Sequence, residues 1–504
     1  MIAPPAPVDP RQELSPLVDE LLRYGHQAAA QGTPAHEVEQ ALWTRARALG
    51  HQARDFFFRP QGTGDLGDTL GLPDGRTVRR LGHPRARPYR SVFGDFTLRR
   101  TASGRREGPP IASVPLDARL PLPASDDSYL LQQWDPALGC EFAFARVGTT
   151  PFDVRGLKPP VDSLGRLNRP MAEQVGPLRR SRPLPDPKDE GAGMVVRADG
   201  QGVVMRRAAA GPAIEGPRTT GPKANQKRMA VVGAVYSVGR SVRTAEAVLD
   251  ALFHDPRDGR ASGPKRPEPV GKHLGARLTH DRAGVVVDGA AAVFGGRKQE
   301  VSARNPSQRR AVVYLMDGQE SLWDVRPGYL PWANAEEVRD LRHVAPRRWE
   351  AAHLFHPEGR DAAVAFVRGR LADVLRGRVM TAVGGLRQRG TKRGRTGAKR
   401  KRRDVICRSL EKNSARMRYD GDVAKGSPSA SGVMEGACRP SVKDRLERAG
   451  MHWTKAGAQA MLDVRSEYLN GDGEAFHAFR IKREAARLYP PRQVLTGMEW
   501  PLAA

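Results

Sequence analysis

Disulfide chemistry has little to work with in this sequence. Only three cysteines occur in 504 residues, Cys140, Cys407 and Cys438, an odd and scattered set that makes neither a disulfide framework nor a CxxC zinc pairing. A reducing cytoplasm is the expected compartment. Long apolar runs are missing as well. None approaches the roughly 18 residues of a membrane-spanning helix, so no bilayer-crossing segment is expected. The first thirteen residues, MIAPPAPVDPRQE, lack the basic stretch and apolar core of a secretory signal. Acidic residues are in short supply: 56 Asp and Glu face 83 Lys and Arg, leaving a formal net charge of +27. A surplus of that size repels itself unless a polyanion neutralises it. Nucleic acid is the first candidate, because phosphate neutralisation releases counterions; an anionic membrane surface is the rival.

What is present suggests several parts, as the length predicts. Residues 13–49 carry Leu14, Leu17, Leu21, Leu22, Val38 and Leu42 at helical spacing. Residues 55–125 are turn-rich with short alternating pieces such as 92–98, which predicts a small, partly β region. Helical spacing returns over about 128–175, and residues 161–169 fit either the second helix of a helix-turn-helix or a plain core helix. A mixed, mainly helical region is therefore expected over 1–177. Residues 178–192, prolines and charges with no periodic apolar face, read as a linker. Beyond it, residues 194–198 form an apolar strand ending at Asp199-Gly200, with 202–207 as its return strand and 229–237 as a third. A helix follows over 243–253, with Thr244 as N-cap. Residues 311–316 form another buried-type strand, which also ends in Asp-Gly, at Asp317-Gly318. This alternation predicts an α/β domain over 193–334. Residues 335–425 read as a helical, basic segment, in which 387–403 pack ten Arg or Lys into seventeen positions. Residues 426–504 are expected to be helical again.

Asp199 and Asp317 stand out by position. A carboxylate at the end of a buried strand is rigidly held yet faces the open edge of the sheet. Two of them on neighbouring strands can share divalent cations, since Mg²⁺ prefers oxygen ligands and often takes only one or two protein carboxylates. A two-metal site would suit phosphodiester displacement. The competing reading is that each Asp-Gly is only a turn signal, and Asp288-Gly289 shows the same local pattern. A third acid, Glu435, follows the Gly/Ser/Pro turn at 426–432. Arg439 and Lys443 lie four and eight residues beyond it, roughly on one helical face, with Arg445 close by. That suits a metal ligand beside a phosphate backbone, and equally a solvated helix with ordinary ion pairs.

At this point larger blocks of sequence become telling. Residues 417–420 (MRYD), 431–439 (SGVMEGACR), 443–445 (KDR), 450–453 (GMHW) and 457–471 resemble the C-terminal signature of the IS-Kra family of bacterial insertion-sequence transposases. Residues 198–200 (ADG), 227–236 (KRMAVVGAVY), 314–320 (YLMDGQE), 343–344, 349–352, 93–100 and 114–117 are similar too, so the resemblance spans about 50–500. It implies an RNase H-like catalytic domain over 193–334 and 426–504, interrupted by the helical insertion 335–425. The region 1–177 would recognise transposon ends. Matched residue by residue, the resemblance places a DDE triad on Asp199, Asp317 and Glu435, which would hold two Mg²⁺ ions, or Mn²⁺ in their place. The implied activity is cleavage of double-stranded DNA at transposon ends to leave 3′-hydroxyls, which then attack target DNA. The implied assembly is a homo-oligomer on DNA. The alternatives are a non-enzymatic DNA-binding relative and a structure-specific nuclease of the same fold. Three departures stand out. The turn before Glu435 reads Ser427-Pro428-Ser429 rather than aromatic, Pro, aliphatic; Pro440 replaces a His; and His452 interrupts a Gly-Met-Arg-Trp pattern.

Further candidates are phosphate contacts from Lys399, Arg400, Lys401, Arg402 and Arg403, read as a solvated loop. Trp453 is expected either to stack on an unpaired base or to pack in the core. His343 is expected as a core or metal-adjacent residue. Gly62–Gly67 matches GxGxxG but lacks a surrounding βαβ unit, so nucleotide binding is not expected there.

Overall fold

The computed structural model describes residues 10–72, 75–104, 111–147, 161–206, 227–253, 267–282, 285–330, 332, 335–394, 396–430, 439–447, 451–490 and 500. It is mixed α/β and divides into two compact units, Met1–Leu167 with Gly473–Ala504, and Asn168–Asp472. Among the described residues no helix is long and apolar enough to cross a membrane.

The first unit opens with helices α1 (Pro10–Gln31) and α2 (Ala35–Phe58), which pack on each other. Strands β1 (Thr69–Gly71), β2 (Thr77–Arg80) and β5 (Ser103–Gly104) form an antiparallel sheet; β3 (Arg85–Ser91) and β4 (Gly94–Arg100) form a hairpin. Phe58, Tyr89, Phe96, Leu98 and Leu122 make a small aromatic-rich core. The C-terminal helix Gly473–Leu488 belongs here rather than with the residues before it. Arg480 donates to Gln132 Oε1 at 2.7 Å, and the Tyr489 hydroxyl donates to the Leu122 carbonyl at 2.5 Å.

The second unit is built on a five-stranded mixed sheet of β6 (Gly193–Val204), β7 (Lys227–Val238), β8 (Val270–Leu278), β11 (Ala311–Met316) and β12 (Glu336–Arg339), in the order β12-β11-β6-β7-β8. Strands β6, β7 and β8 pair antiparallel, whereas β11 runs parallel to both β6 and β12. A small hairpin, β9 (His280–Arg282) with β10 (Val285–Val287), follows β8. The central strands are near-continuous apolar runs because both faces of the sheet are covered. On one face Met194, Val196, Val312 and Tyr314 pack under the helices Gly289–Arg304 and Glu320–Tyr329. On the other, Val195, Val313, Leu315 and Val338 pack under the helices Leu341–His353, Asp361–Leu375, Val379–Lys392 and Gly397–Lys412.

Three sequence expectations are corrected by this architecture. The supposed linker starts inside helix Val161–Ser181, whose buried stripe of Leu164, Leu167, Met171, Val175 and Leu178 continues past residue 177. The expected hairpin at Asp199-Gly200 does not form: β6 runs straight through it and pairs along its whole length with β7. Finally, the helical segment expected from residue 335 begins with strand β12. Its two glutamates disguise it, and both are paired at the sheet edge, Glu336 with Lys425 and Ser427 and Glu337 with Arg416 and Arg326.

Candidate active site

Strand register brings Asp199 and Asp317 together. Ala311 lies opposite Gly193 and Tyr314 opposite Val196 on parallel strands. The same offset, continued three residues, sets Asp317 level with Asp199. Side chains alternate across a strand, so both carboxylates belong to the face of Val195, Val313 and Leu315. Strand β11 stops at Met316 while β6 continues to Val204, so Asp317 directly follows the end of its strand and Asp199 lies within β6.

The glycine after each acid is not there to make a left-handed turn. Neither Gly200 nor Gly318 has positive φ. Each instead admits a neighbour: a Cβ on Gly200 would fall 2.3 Å from Gln319 Oε1, and one on Gly318 would fall 2.7 Å from Arg339 Nη2. The Asp-Gly at 288–289 is different in kind. Asp288 is the N-cap of Gly289–Arg304, its Oδ1 accepting from Ala291 N at 2.8 Å.

Around Asp317 the packing is polar and close. Its Oδ1 accepts the Gln319 amide at 2.7 Å, and its carbonyl accepts Trp323 Nε1 at 2.7 Å. Burial lifts the Asp317 carboxyl above the usual carboxylate range; the charge of Asp199 adds to that rise, while the Gln319 amide, His343 and Arg339 oppose it. Asp199 therefore lies close enough for its charge to act on Asp317. Beneath them, Arg197 donates to the Leu315 carbonyl at 3.2 Å and pairs with buried Asp340, which caps the next helix by accepting Arg342 N at 2.9 Å. This contact ties β6, β11 and the helical layer into one register, and breaking a buried pair of this kind typically costs about 3–5 kcal/mol.

Sequence reasoning missed Arg339. It is buried, and its guanidinium donates to the carbonyl and hydroxyl of Ser409 at 3.0 and 3.2 Å. Its own carbonyl accepts the Tyr419 hydroxyl at 2.5 Å. An arginine in Glu-Glu-Val-Arg reads as surface, and only the third dimension shows it packed over Gly318. His343, singled out from sequence, does lie close enough to influence Asp317.

The remaining candidates separate into three groups. Glu435 lies outside the described residues, as do the side chains of Arg439 and Pro440; Arg439–Lys443 forms a π-helical turn in which Lys443 is exposed. Arg445 and Trp453 belong to the core: the guanidinium lies 4.9 Å over the indole ring, whose Nε1 donates to Leu446 O at 3.1 Å. Trp453 also extends the sheet, its amide donating to Val204 O at 3.0 Å. Base stacking and phosphate binding are thus closed to these two side chains as folded. The run Lys399–Arg403, expected as a loop, lies in helix Gly397–Lys412. Lys399, Arg400, Lys401 and Arg402 are exposed, whereas Arg403 is buried and paired with Asp404 at 2.7 Å. Periodic burial of Arg403, Ile406, Cys407 and Leu410 is what makes this segment a helix.

No family model matches this chain, and no curated protein matches it.

The donor set is all oxygen. Among the described residues no group of three or more His, Cys, Asp or Glu gathers that could hold a metal. A carboxylate pair alone still suits a hard cation that keeps most of its water and takes further ligands from phosphate, and two neighbouring carboxylates lose their mutual repulsion when a divalent ion lies between them.

Proposed function

We propose that this chain is a DDE-type DNA transposase with Asp199, Asp317 and Glu435 as its catalytic carboxylates. The observation that carries the reading is the nearness of Asp199 and Asp317: β6 and β11 are adjacent and parallel, their register continued three residues sets the two acids level, and the charge of Asp199 helps to raise the Asp317 carboxyl. A sheet of three antiparallel strands followed by two parallel ones, with Asp199 on its first strand in chain order and Asp317 directly after its fourth, supports an RNase H-like domain. The blocks of sequence similar to IS-Kra transposases support the same reading, as does the net charge of +27.

Asp199 and Asp317, with Glu435, would hold two Mg²⁺ ions, which when bound supply charge stabilisation at the attacking and leaving oxygens of the phosphodiester. The chain's own groups hold the carboxylates for that task. The Gln319 amide fixes one oxygen of Asp317, and the Arg197–Asp340 pair fixes the spacing of the two strands. Arg339 adds positive potential beside Asp317, where a scissile phosphate would bring negative charge. The exposed cations of helix Gly397–Lys412 would meet phosphates without reading sequence.

Asp317→Asn tests the assignment. It should abolish Mg²⁺-dependent cleavage of DNA carrying the sequences that border the gene, with DNA affinity nearly unchanged. Asp288→Asn is the control and should be mild, because asparagine caps helices about as well as aspartate. Near wild-type cleavage by Asp317→Asn would remove this function from the pair.

A further inference from the structure

A second polar site lies on the other face of the sheet, where helix Gly289–Arg304 packs against β8. A cavity of about 460 Å³ opens there, lined by Arg179, Arg180, Arg182, Arg277 and Arg297, by one carboxylate, Glu300, and by Leu184 and Val293 as apolar wall. We propose that this cavity binds a phosphate group carried by a nucleotide or a nucleic-acid strand.

The arginines divide by role. Arg179 and Arg182 share one buried carboxylate, Glu467, at 2.6 and 2.9 Å, and Arg277 pairs with Asp463. These ion pairs hold three guanidinium groups in place around the cavity. Arg297 is 7% exposed; it donates to the His273 carbonyl at 3.0 Å and pairs with Glu300 at 3.1 Å, yet its Nε has no partner among the described residues. Glu300 is itself divided among Arg297, Arg304 and His273. Arg180 lines the cavity, is exposed, and makes no ion pair or hydrogen bond among the described residues. Burying Arg297 among Arg179 and Arg182 depresses its basicity, a cost that a bound anion offsets. Guanidinium forks match the oxygens of a phosphate, and the volume lies within the roughly 300–1,000 Å³ usual for ligand sites. A nucleotide, with its phosphate on the arginines and its base against Leu184 and Val293, uses both kinds of wall.

The site stands apart from the carboxylate pair, so its test is independent of the transposase reading. Binding of inorganic phosphate, thymidine 5′-monophosphate and a short 5′-phosphorylated oligonucleotide to the full chain is measured by calorimetry. Wild type should bind all three saturably, the oligonucleotide tightest if a strand is the natural source and the nucleotide tightest if it is not. Arg180→Gln should weaken each by roughly tenfold, the effect expected of removing one charge-assisted hydrogen bond. Arg23→Gln, an equal charge change at an exposed position on α1, should leave binding of phosphate and nucleotide unchanged. Absence of saturable phosphate binding would overturn the proposal, and so would equal weakening in Arg180→Gln and Arg23→Gln. Arg297→Lys, which keeps the charge but not the fork, should weaken binding while melting near the wild-type temperature.

Discussion

At the scale of single residues, Asp422 and Ser429 carry consequences that can be measured. The Asp422 side chain is buried, and its Oδ2 has no partner among the described residues. Burial first, then the charge of Glu336, pushes its carboxyl up to about 7. An unfolded aspartate titrates near 4, so the folded state keeps a proton that the unfolded state releases. Stability therefore falls as pH rises from about 4 to about 7 and is level above that. Asp422→Asn removes this penalty. At pH 8 it should melt higher than wild type by about 2–4 °C, and the gap should close as pH approaches 4. Ser429 closes the turn Ser427-Pro428-Ser429. It is fully buried, its hydroxyl has no partner among the described residues, and a cavity of about 90 Å³ lies beside it, lined also by Val248, Leu252 and Leu341. Ser429→Val should raise stability by about 0.5–2 kcal/mol, as cavity filling does, read from a denaturant midpoint at unchanged slope. A destabilised variant would mean that the cavity cannot take the methyl groups.

Elements show best why some of the fold was legible and some was not. Strands β6, β7 and β11 announce themselves as continuous apolar runs because the sheet is covered on both faces. Thr244 as an N-cap was equally plain, and its hydroxyl accepts Ala247 N at 3.1 Å. Strand β12 was hidden because it lies at the sheet edge, where acids paired with cations replace apolar residues. The run at 399–403 looked like solvated loop because charge masked a helical period resting on Arg403, Ile406 and Leu410. Among the site residues, Asp199 and Asp317 could be chosen from sequence, but their level register could not. Arg339 could not be chosen at all. The basic helix yields its own prediction. Changing Lys399, Arg400, Lys401 and Arg402 together to alanine should weaken binding to end-containing and random DNA by similar factors. Every phosphate neutralisation removed in this way should lower the magnitude of the slope of log K against log salt by roughly 0.9. Weakening confined to end-containing DNA would show that the helix reads bases. Arg403 is left out of this set because its alanine variant would disturb the core.

For the molecule as a whole, 83 Lys and Arg outnumber 56 Asp and Glu, and Asp199 and Asp317 both belong to the second compact unit. The central claim is that Asp199 and Asp317 act as a single catalytic unit, not as two independent acidic residues near DNA. Rates of Mg²⁺-dependent cleavage for Asp199→Asn, Asp317→Asn and the double variant decide it, with DNA affinity measured alongside. Residues that act as one unit are strongly non-additive. Each single variant should be slower by on the order of a thousandfold or more, and the double variant should be no slower than either. Two modest decreases that multiply in the double variant, or a single variant that cleaves at the wild-type rate, would contradict the account.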